Sequence, residues 1–472
     1  MRRRTAATAA LLGTVLGGCT ATPALPSTAV PADPSATAVA GPSPGGSPAA
    51  CPGRYVDPDP HRPRIILTFD VSADLSTVTG TEQVRFRPDR PIREVVFRLT
   101  ANGPTSYPNG TSITVRKATA DPAGGRFRYE PAGAAPGSPG GVLAIPLATE
   151  VPAGQEVLAE VAFTLKLGQA TFERFGREQG TAWFGSGQPL FAWERGVGWH
   201  REPLARWTGE SATSEASTID LTVTAPTSLV VMASGVADPP VGLAGGRRSW
   251  HTTSASARDV SVAVGNFRTV QATVGGAQLT VGALEAAEAR STLAEISRGM
   301  TELARRFGPF PFPALNVTVL PAPGGGIEYP GSILLFGSSR LVDVHETAHQ
   351  WFYALVGDSQ FRDPWLDEAF ATYAEELVNI SAPGAGVDVP GDVGKGINDF
   401  PDAGSYYGTV YYKGAAALFE ARRRAGPEQF DRAIRCYVNA NAWRIAHPEN
   451  LAAALAGLPA ALAVLRAAHA LP

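Results

Sequence analysis

From Arg54 to about Val274 apolar and polar residues alternate with a period of two. Ile65, Leu67, Phe69 and Val71 alternate with Ile66, Thr68 and Asp70, and Val161, Phe163 and Leu165 with Ala162, Thr164 and Lys166. Ile219, Leu221 and Val223 repeat the pattern against Asp220, Thr222 and Thr224. Successive side chains of a strand point to opposite faces, so these runs predict an antiparallel sheet with one face on a core. Turn clusters such as Ala123-Gly124-Gly125 separate them. Near Leu284 the period lengthens. Leu293, Ile296, Met300 and Leu303 recur at spacings of three and four and predict a helix over 284–306, ended by Gly308-Pro309. Short strands over 316–320 and 332–336 follow. From Leu341 the pattern is helical: a first helix whose buried face is expected to take Leu341, Val342 and Val344 and then Trp351, Phe352, Leu355 and Val356, a second around 365–373, then 410–424, 428–440 and 450–470. The fold class expected is a multidomain α+β chain. An N-terminal antiparallel β saddle or sandwich domain (51–274) precedes an α-rich domain (275–472).

Hydrophobic residues make up 44% and charged residues 18% of the 472, which suits a folded globular body of two or three domains. The formal net charge of −3 gives no attraction to nucleic acid, and none is expected as a partner. The first residues read differently. Arg2, Arg3 and Arg4 precede a short apolar run from Thr5 to Val15, the pattern of an export signal over 1–18. Leu16-Gly17-Gly18-Cys19 looks like a bacterial lipobox, which implies cleavage before Cys19 and a lipid on it. Residues 19–50 are almost all Ala, Pro, Ser, Thr, Gly and Val and read as an extended tether. The expected location is thus the outward face of a bacterial cell membrane. An exported context permits a Cys51–Cys436 disulfide, and the sequence leaves that pairing open.

The chemistry lies in His345-Glu346-Thr347-Ala348-His349, followed by Glu368 after eighteen intervening residues. Two imidazoles four residues apart on a helix face one point, and a carboxylate from a second helix completes three zinc ligands. His345, His349 and Glu368 are the expected ligands of one Zn2+, with a fourth position left for water and Glu346 beside it as general base. With only 7 His in the chain, chance would produce H-E-x-x-H about 0.005 times. The other five histidines have no ligand spacing and read as surface or satisfied core.

Four motifs in order carry a family resemblance. Trp365-Leu366-Asp367-Glu368-Ala369-Phe370-Ala371 follows the zinc helix; Gly325-Gly326-Ile327-Glu328-Tyr329 precedes it, after Phe307-Gly308-Pro309-Phe310-Pro311-Phe312. Thr409-Val410-Tyr411-Tyr412-Lys413-Gly414-Ala415 comes later. Together these resemble the aminopeptidase N family of gluzincin zinc metallopeptidases, most strongly over 305–416. The resemblance implies a thermolysin-like catalytic domain and peptide substrates. It puts the catalytic tyrosine on Tyr411, the anchor for the substrate's free α-amine on Glu328, and a cleft-lining backbone on Gly325 and Gly326. Lys413 reads as structural.

The chain departs from the family pattern in places. Tyr329 stands where the family has asparagine, and Ala369 where it has glycine. The front domain offers only Gln188 and Glu194 as weak candidates for a second contact to the amine. About 60 residues follow Tyr411, too few for the large helical domain of many members, so the cleft is expected to be more open. The function expected is a zinc aminopeptidase acting on the N-terminal residues of peptides. The alternatives are a zinc endopeptidase with an open cleft and a non-catalytic envelope lipoprotein that binds ligands on the same fold.

Overall fold

The computed structural model describes residues 51–170, 173–207, 213–381 and 386–472. The signal segment, Cys19 and the tether lie outside the described residues. Among the described residues the front part is built on an eight-stranded sheet. At its centre Ser217–Pro226, Arg64–Val71, Thr77–Phe86 and Val157–Lys166 lie side by side. The alternation places Leu67, Phe69, Val161, Phe163, Leu221 and Val223 in one core, while Thr68 and Thr81 meet across strands on the wet face, 2.5 Å apart. Smaller four-stranded sheets, containing Val142–Val151 and Thr181–Gly185, close over that core.

One pairing departs from the antiparallel expectation. Arg64–Val71 runs parallel to Ser217–Pro226. About 150 residues, which build three more strands of this sheet as well as parts of the smaller ones, separate the two, enough chain to re-enter in the same direction.

The second part begins on a five-stranded sheet ordered Arg268–Val274, Ala277–Ala283, Ala314–Val319, Ser332–Leu335, Gly326–Tyr329. Its first strand falls within the range expected for the front domain. Gly275 and Gly276, at φ 58° and 89°, form the tight turn that pairs this strand with Ala277–Ala283. Helix α1 (Ala286–Phe307) lays Ala289, Ile296 and Met300 on the sheet against Leu279, Val281 and Val317. Gly326–Tyr329 is the outer strand, antiparallel to its one neighbour among the described residues.

Helix α2 (Arg340–Ala348) is started by Ser339, whose hydroxyl accepts from the Val342 amide at 3.3 Å. It is shorter than the apolar pattern suggested. Beyond His349 the chain turns, with the Ala354 amide on the His349 carbonyl and Tyr353 at φ 112°. Trp351, Phe352, Leu355 and Val356 are buried from this turn rather than from a helical face. Helix α3 (Trp365–Asn379) follows and is buried along most of its length. The apolar run over 450–470 forms two helices, Pro448–Ala454 and Pro459–Ala467, because Pro459 supplies no amide to continue the first and starts the second. A disulfide joins Cys51 to Cys436 on the helix Pro427–Asn441, and the Val56 amide donates to the Asn439 carbonyl beside it.

Candidate active site

One turn of α2 brings His345 and His349 to the same face, with ring centroids 4.8 Å apart. From α3, Glu368 Oε2 lies 3.3 Å from His345 Nε2 and 3.4 Å from His349 Nε2. Donors on an undistorted tetrahedron with zinc bond lengths stand about 3.3–3.4 Å apart. The carboxylate oxygen therefore already stands at zinc-ligand spacing from both nitrogens, and two nitrogens with one carboxylate oxygen suit that ion.

The outer contacts aim the ligands. His349 Nδ1 is held by a short hydrogen bond to the Asp367 carboxylate, with the Phe352 carbonyl 3.2 Å away, so Nε2 is left for the metal. His345 Nδ1 faces Glu375 at 3.5 Å. Burial alone would raise the Glu368 carboxyl, but the charges of His349 and His345 hold it below the usual carboxylate range.

Glu346 sits beside this point, buried, with Oε2 lacking a hydrogen-bond partner among the described residues. Burial pushes its carboxyl up to about 7, opposed by the histidines and reinforced by Glu368 and Asp367. Its side chain packs on Gly326, where a Cβ would lie 2.3 Å from the Glu346 Cγ. Glycine there is a requirement of close approach. Tyr411 projects from a π-helical turn, Gly408–Lys413, a local overwidening common at functional positions. Its ring stacks on His345, 6.0 Å between centroids and 4° from coplanar. Burial, with Glu368 adjacent, raises its phenol well above the usual range, so it remains a donor at neutral pH.

Glu328 stands on the edge strand and faces the same cleft. Burial, opposed by His349 and reinforced by Asp367, Glu368 and Glu346, pushes its carboxyl up to about 8. The cleft has a volume of about 300 Å3, and its walls include His345, Glu346, His349, Glu368, Tyr411, Glu328, Gly325 and Gly326. The residues expected as metal ligands (His345, His349, Glu368), as catalytic groups (Glu346, Tyr411) and as substrate contacts by motif match (Glu328, Gly325, Gly326) thus line one cavity; Cys19, expected to carry lipid, lies outside the described residues.

Other expectations land elsewhere. Gln188 is buried against Asp259 at 3.1 Å, inside the front part. Glu194 is enclosed by His200 at 2.5 Å, His447 at 2.8 Å and Arg362 at 2.9 Å. Neither lines the cleft, because both turn into partners that compensate their burial. Glu173 and Arg174 reach the cavity from the front part instead. They sit in a segment with no periodic pattern, so nothing in the sequence singled them out. Tyr329 points away from the cavity: Arg174 Nη1 donates to its hydroxyl at 3.2 Å, and the absent Cβ of Gly185 makes room for it. Lys413 donates to the Gly391 carbonyl at 2.7 Å, a structural bond. Two further residues escaped the sequence reading. Asp367 lay inside a quoted motif, where a carboxylate next to a ligand is a signal for histidine orientation. Gln360, which bonds both Glu328 and Asp367, carried no signal.

No family model matches the chain. The chain is 28% identical over 169 residues to an aminopeptidase B from Rattus norvegicus, covering 28% of this chain and 26% of that one. It is 29% identical over 122 residues to an aminopeptidase N from Streptomyces lividans, covering 21% and 14%. The matched stretch therefore spans about a quarter or less of either relative. At the level of fold the agreement is wider. An M1 zinc metallopeptidase from Deinococcus radiodurans superposes with a TM-score of 0.63 over 86% of this chain and 92% of its own, at 19% identity. A variant solved with a Tyr-Ser-Ala substrate gives the same TM-score, at 86% and 94%. The chain thus shares the fold of these M1 zinc metallopeptidases, and part of it is similar in sequence to aminopeptidases B and N.

Proposed function

We propose that the chain is a zinc-dependent aminopeptidase that removes N-terminal residues from peptides. The observation that carries this reading is the position of Glu328. Its carboxylate is buried in the metal cleft, within 4.8 Å of ligand atoms of Glu346 and His349. A fixed carboxylate at that distance from the ligand site measures the short step from an ammonium to the first peptide carbonyl.

When bound at His345, His349 and Glu368, zinc supplies Lewis-acid polarisation of that carbonyl and acidification of water. The chain's own groups do the rest. The unpartnered Glu346 Oε2 takes the proton of the attacking water and returns it to the leaving amine. The Tyr411 hydroxyl donates to the oxygen that gains negative charge as the carbonyl is attacked. Gly326–Tyr329, an edge strand beside α2, offers backbone groups to an extended peptide, and Gly325-Gly326 lets it come close. Glu173 adds a second acidic side chain to the same wall.

A panel of free and N-acetylated peptides tests the reading. Cleavage is expected for free amines only, and equal cleavage of blocked peptides would favour an open-cleft endopeptidase. Glu346→Gln should keep the metal and lose turnover. A binding lipoprotein without activity would show metal and no turnover in the unaltered chain.

Export and a lipid on Cys19 are part of the proposal, supported by the sequence pattern alone. Incorporation of a fatty-acid label that disappears in Cys19→Ala tests it.

A further inference from the structure

We propose that Gln360 is a positioning residue that joins amine recognition to metal affinity through one side-chain amide. The proposal rests on the amine-anchor reading of Glu328. Gln360 is fully buried in the segment between the two zinc helices. Its Nε2 lies 2.8 Å from Glu328 Oε1 and 2.7 Å from Asp367 Oδ2. The other oxygen of Asp367 holds His349 Nδ1. A continuous path therefore runs from the carboxylate that faces the amine, through one NH2 group, to the carboxylate that aims a zinc ligand.

The amide is suited to this by its valence. It has two hydrogens, one for each of the two carboxylate oxygens that Nε2 meets. The amide is turned with Nε2, not its oxygen, towards both, as two carboxylate oxygens require of a shared donor. The side chain has little freedom to do otherwise. Gly357 exchanges backbone hydrogen bonds with Arg444 and Ala446, the Ile397 amide donates to the Phe361 carbonyl, and Arg362 is bound to Glu194 at 2.9 Å. A clamped loop holding a fully buried amide places its two hydrogens within the tolerance that a metal-orienting contact needs.

Removal of the donor leaves two buried carboxylates facing each other with nothing between them, and Asp367 is free to rotate off His349. Orienting contacts of this kind are worth about 10–100-fold in metal affinity. The experiment uses Gln360→Met, which keeps length and removes both hydrogens. Zinc affinity is measured by competition with a chromophoric chelator. Inhibition constants are measured for an amino-acid amide and its N-acetyl counterpart. The expected result is zinc affinity at least tenfold weaker and the free-amine inhibitor about tenfold weaker, with the acetylated one unchanged. Placed on Glu328→Gln, the same substitution should still weaken zinc and no longer affect the amine. If both constants stay within twofold of the unaltered protein, or only the melting temperature moves, Gln360 is structural and the proposal is wrong. A shift in one constant without the other refutes the junction. Should the methionine variant fail to fold, Gln360→Asn keeps an amide too short to span both carboxylates and must lower at least one constant with the other following. An unaltered protein that ignores every free-amine ligand would sink the aminopeptidase reading instead, while the zinc measurement still tests the link to His349.

Discussion

Gly326→Ala is the sharpest test of how the base is placed, because it adds one methyl group and touches no metal ligand. The Cβ would arrive 2.3 Å from Glu346 Cγ, 2.5 Å from its Cδ and 2.7 Å from Oε1. Ordinary contact begins near 3.4 Å. Glu346 is buried and α2 is packed on both sides, so the carboxylate must shift by about 1 Å, the displacement at which catalytic geometry loses about 100-fold. That factor corresponds to about 2.7 kcal/mol of transition-state stabilisation. Steady-state kinetics on an unblocked peptide, alongside zinc content and circular dichroism, separate the possibilities. Turnover should fall about 100-fold with stoichiometric zinc and an unchanged fold. Activity within threefold of the unaltered protein would mean that Glu346 does not need the position it holds, and its role as base would have to be abandoned.

Tyr411→Phe removes one donor from the charge that develops on the carbonyl oxygen and should lower kcat by about 100-fold or more with a smaller change in KM. A loss confined to KM would reassign the tyrosine to substrate binding. Zinc binding should release protons. In the metal-free chain burial alone would lower His345, but Glu368 and Glu375 raise it to about 10, so at pH 7 it is protonated and must lose that proton to ligate. Calorimetry at pH 7 in buffers of different ionisation enthalpy should show this release, and a buffer-independent heat would contradict it. Bonds to Asp363 and Glu194, partly offset by burial, raise His447 to about 9. Its folded pKa lies above its ordinary value, so the stability it contributes is complete below about 6.5 and is lost as pH rises through about 9. Thermal unfolding from pH 6 to 10 should show a fall that His447→Gln abolishes; the same fall in both proteins would rule His447 out as the source.

What the sequence disclosed and what it withheld divide along a physical line. The zinc ligands were legible because helical geometry fixes the relation of His345 to His349 locally, and few histidines compete with them. The alternation in Arg64–Val71 and Ser217–Pro226 was legible because each strand has one buried face, but their parallel pairing depends on the path of the chain between them. The end of α2 was missed for a related reason. Trp351, Phe352, Leu355 and Val356 fit helical spacing, yet they reach the core from a turn in which Tyr353 takes φ 112°. Gln188 and Glu194 are only weak candidates for a contact to the amine, in a stretch with no clean counterpart in the family pattern. Their actual partners, Asp259 for one and His200, His447 and Arg362 for the other, come from distant parts of the chain. Glu173, Arg174 and Gln360 gain their roles only from tertiary placement.

The charge of the cleft supplies a further reason for its choice of ligands. Glu328, Glu346, Asp367 and Glu368 are all buried around two imidazoles. Four carboxylates cannot stay ionised at that density without cations, since each is deprived of water and repels the others. A metal dication offsets two of them from the His345 side, where the ligand atoms converge. Arg174 reaches the cavity wall but donates to the Tyr329 hydroxyl, on the far side of the edge strand. The acidic groups that face the remaining space are Glu328, held in place by Gln360, and Glu173. An ammonium placed there would favour the ionised form of Glu328, which burial disfavours, whereas a neutral or acetylated chain end would not. On the proposed aminopeptidase activity, discrimination for a free N-terminus follows from the same excess of acid that would draw in the metal. The two preferences are consequences of one electrostatic arrangement, and weakening either acid partner should be felt by both.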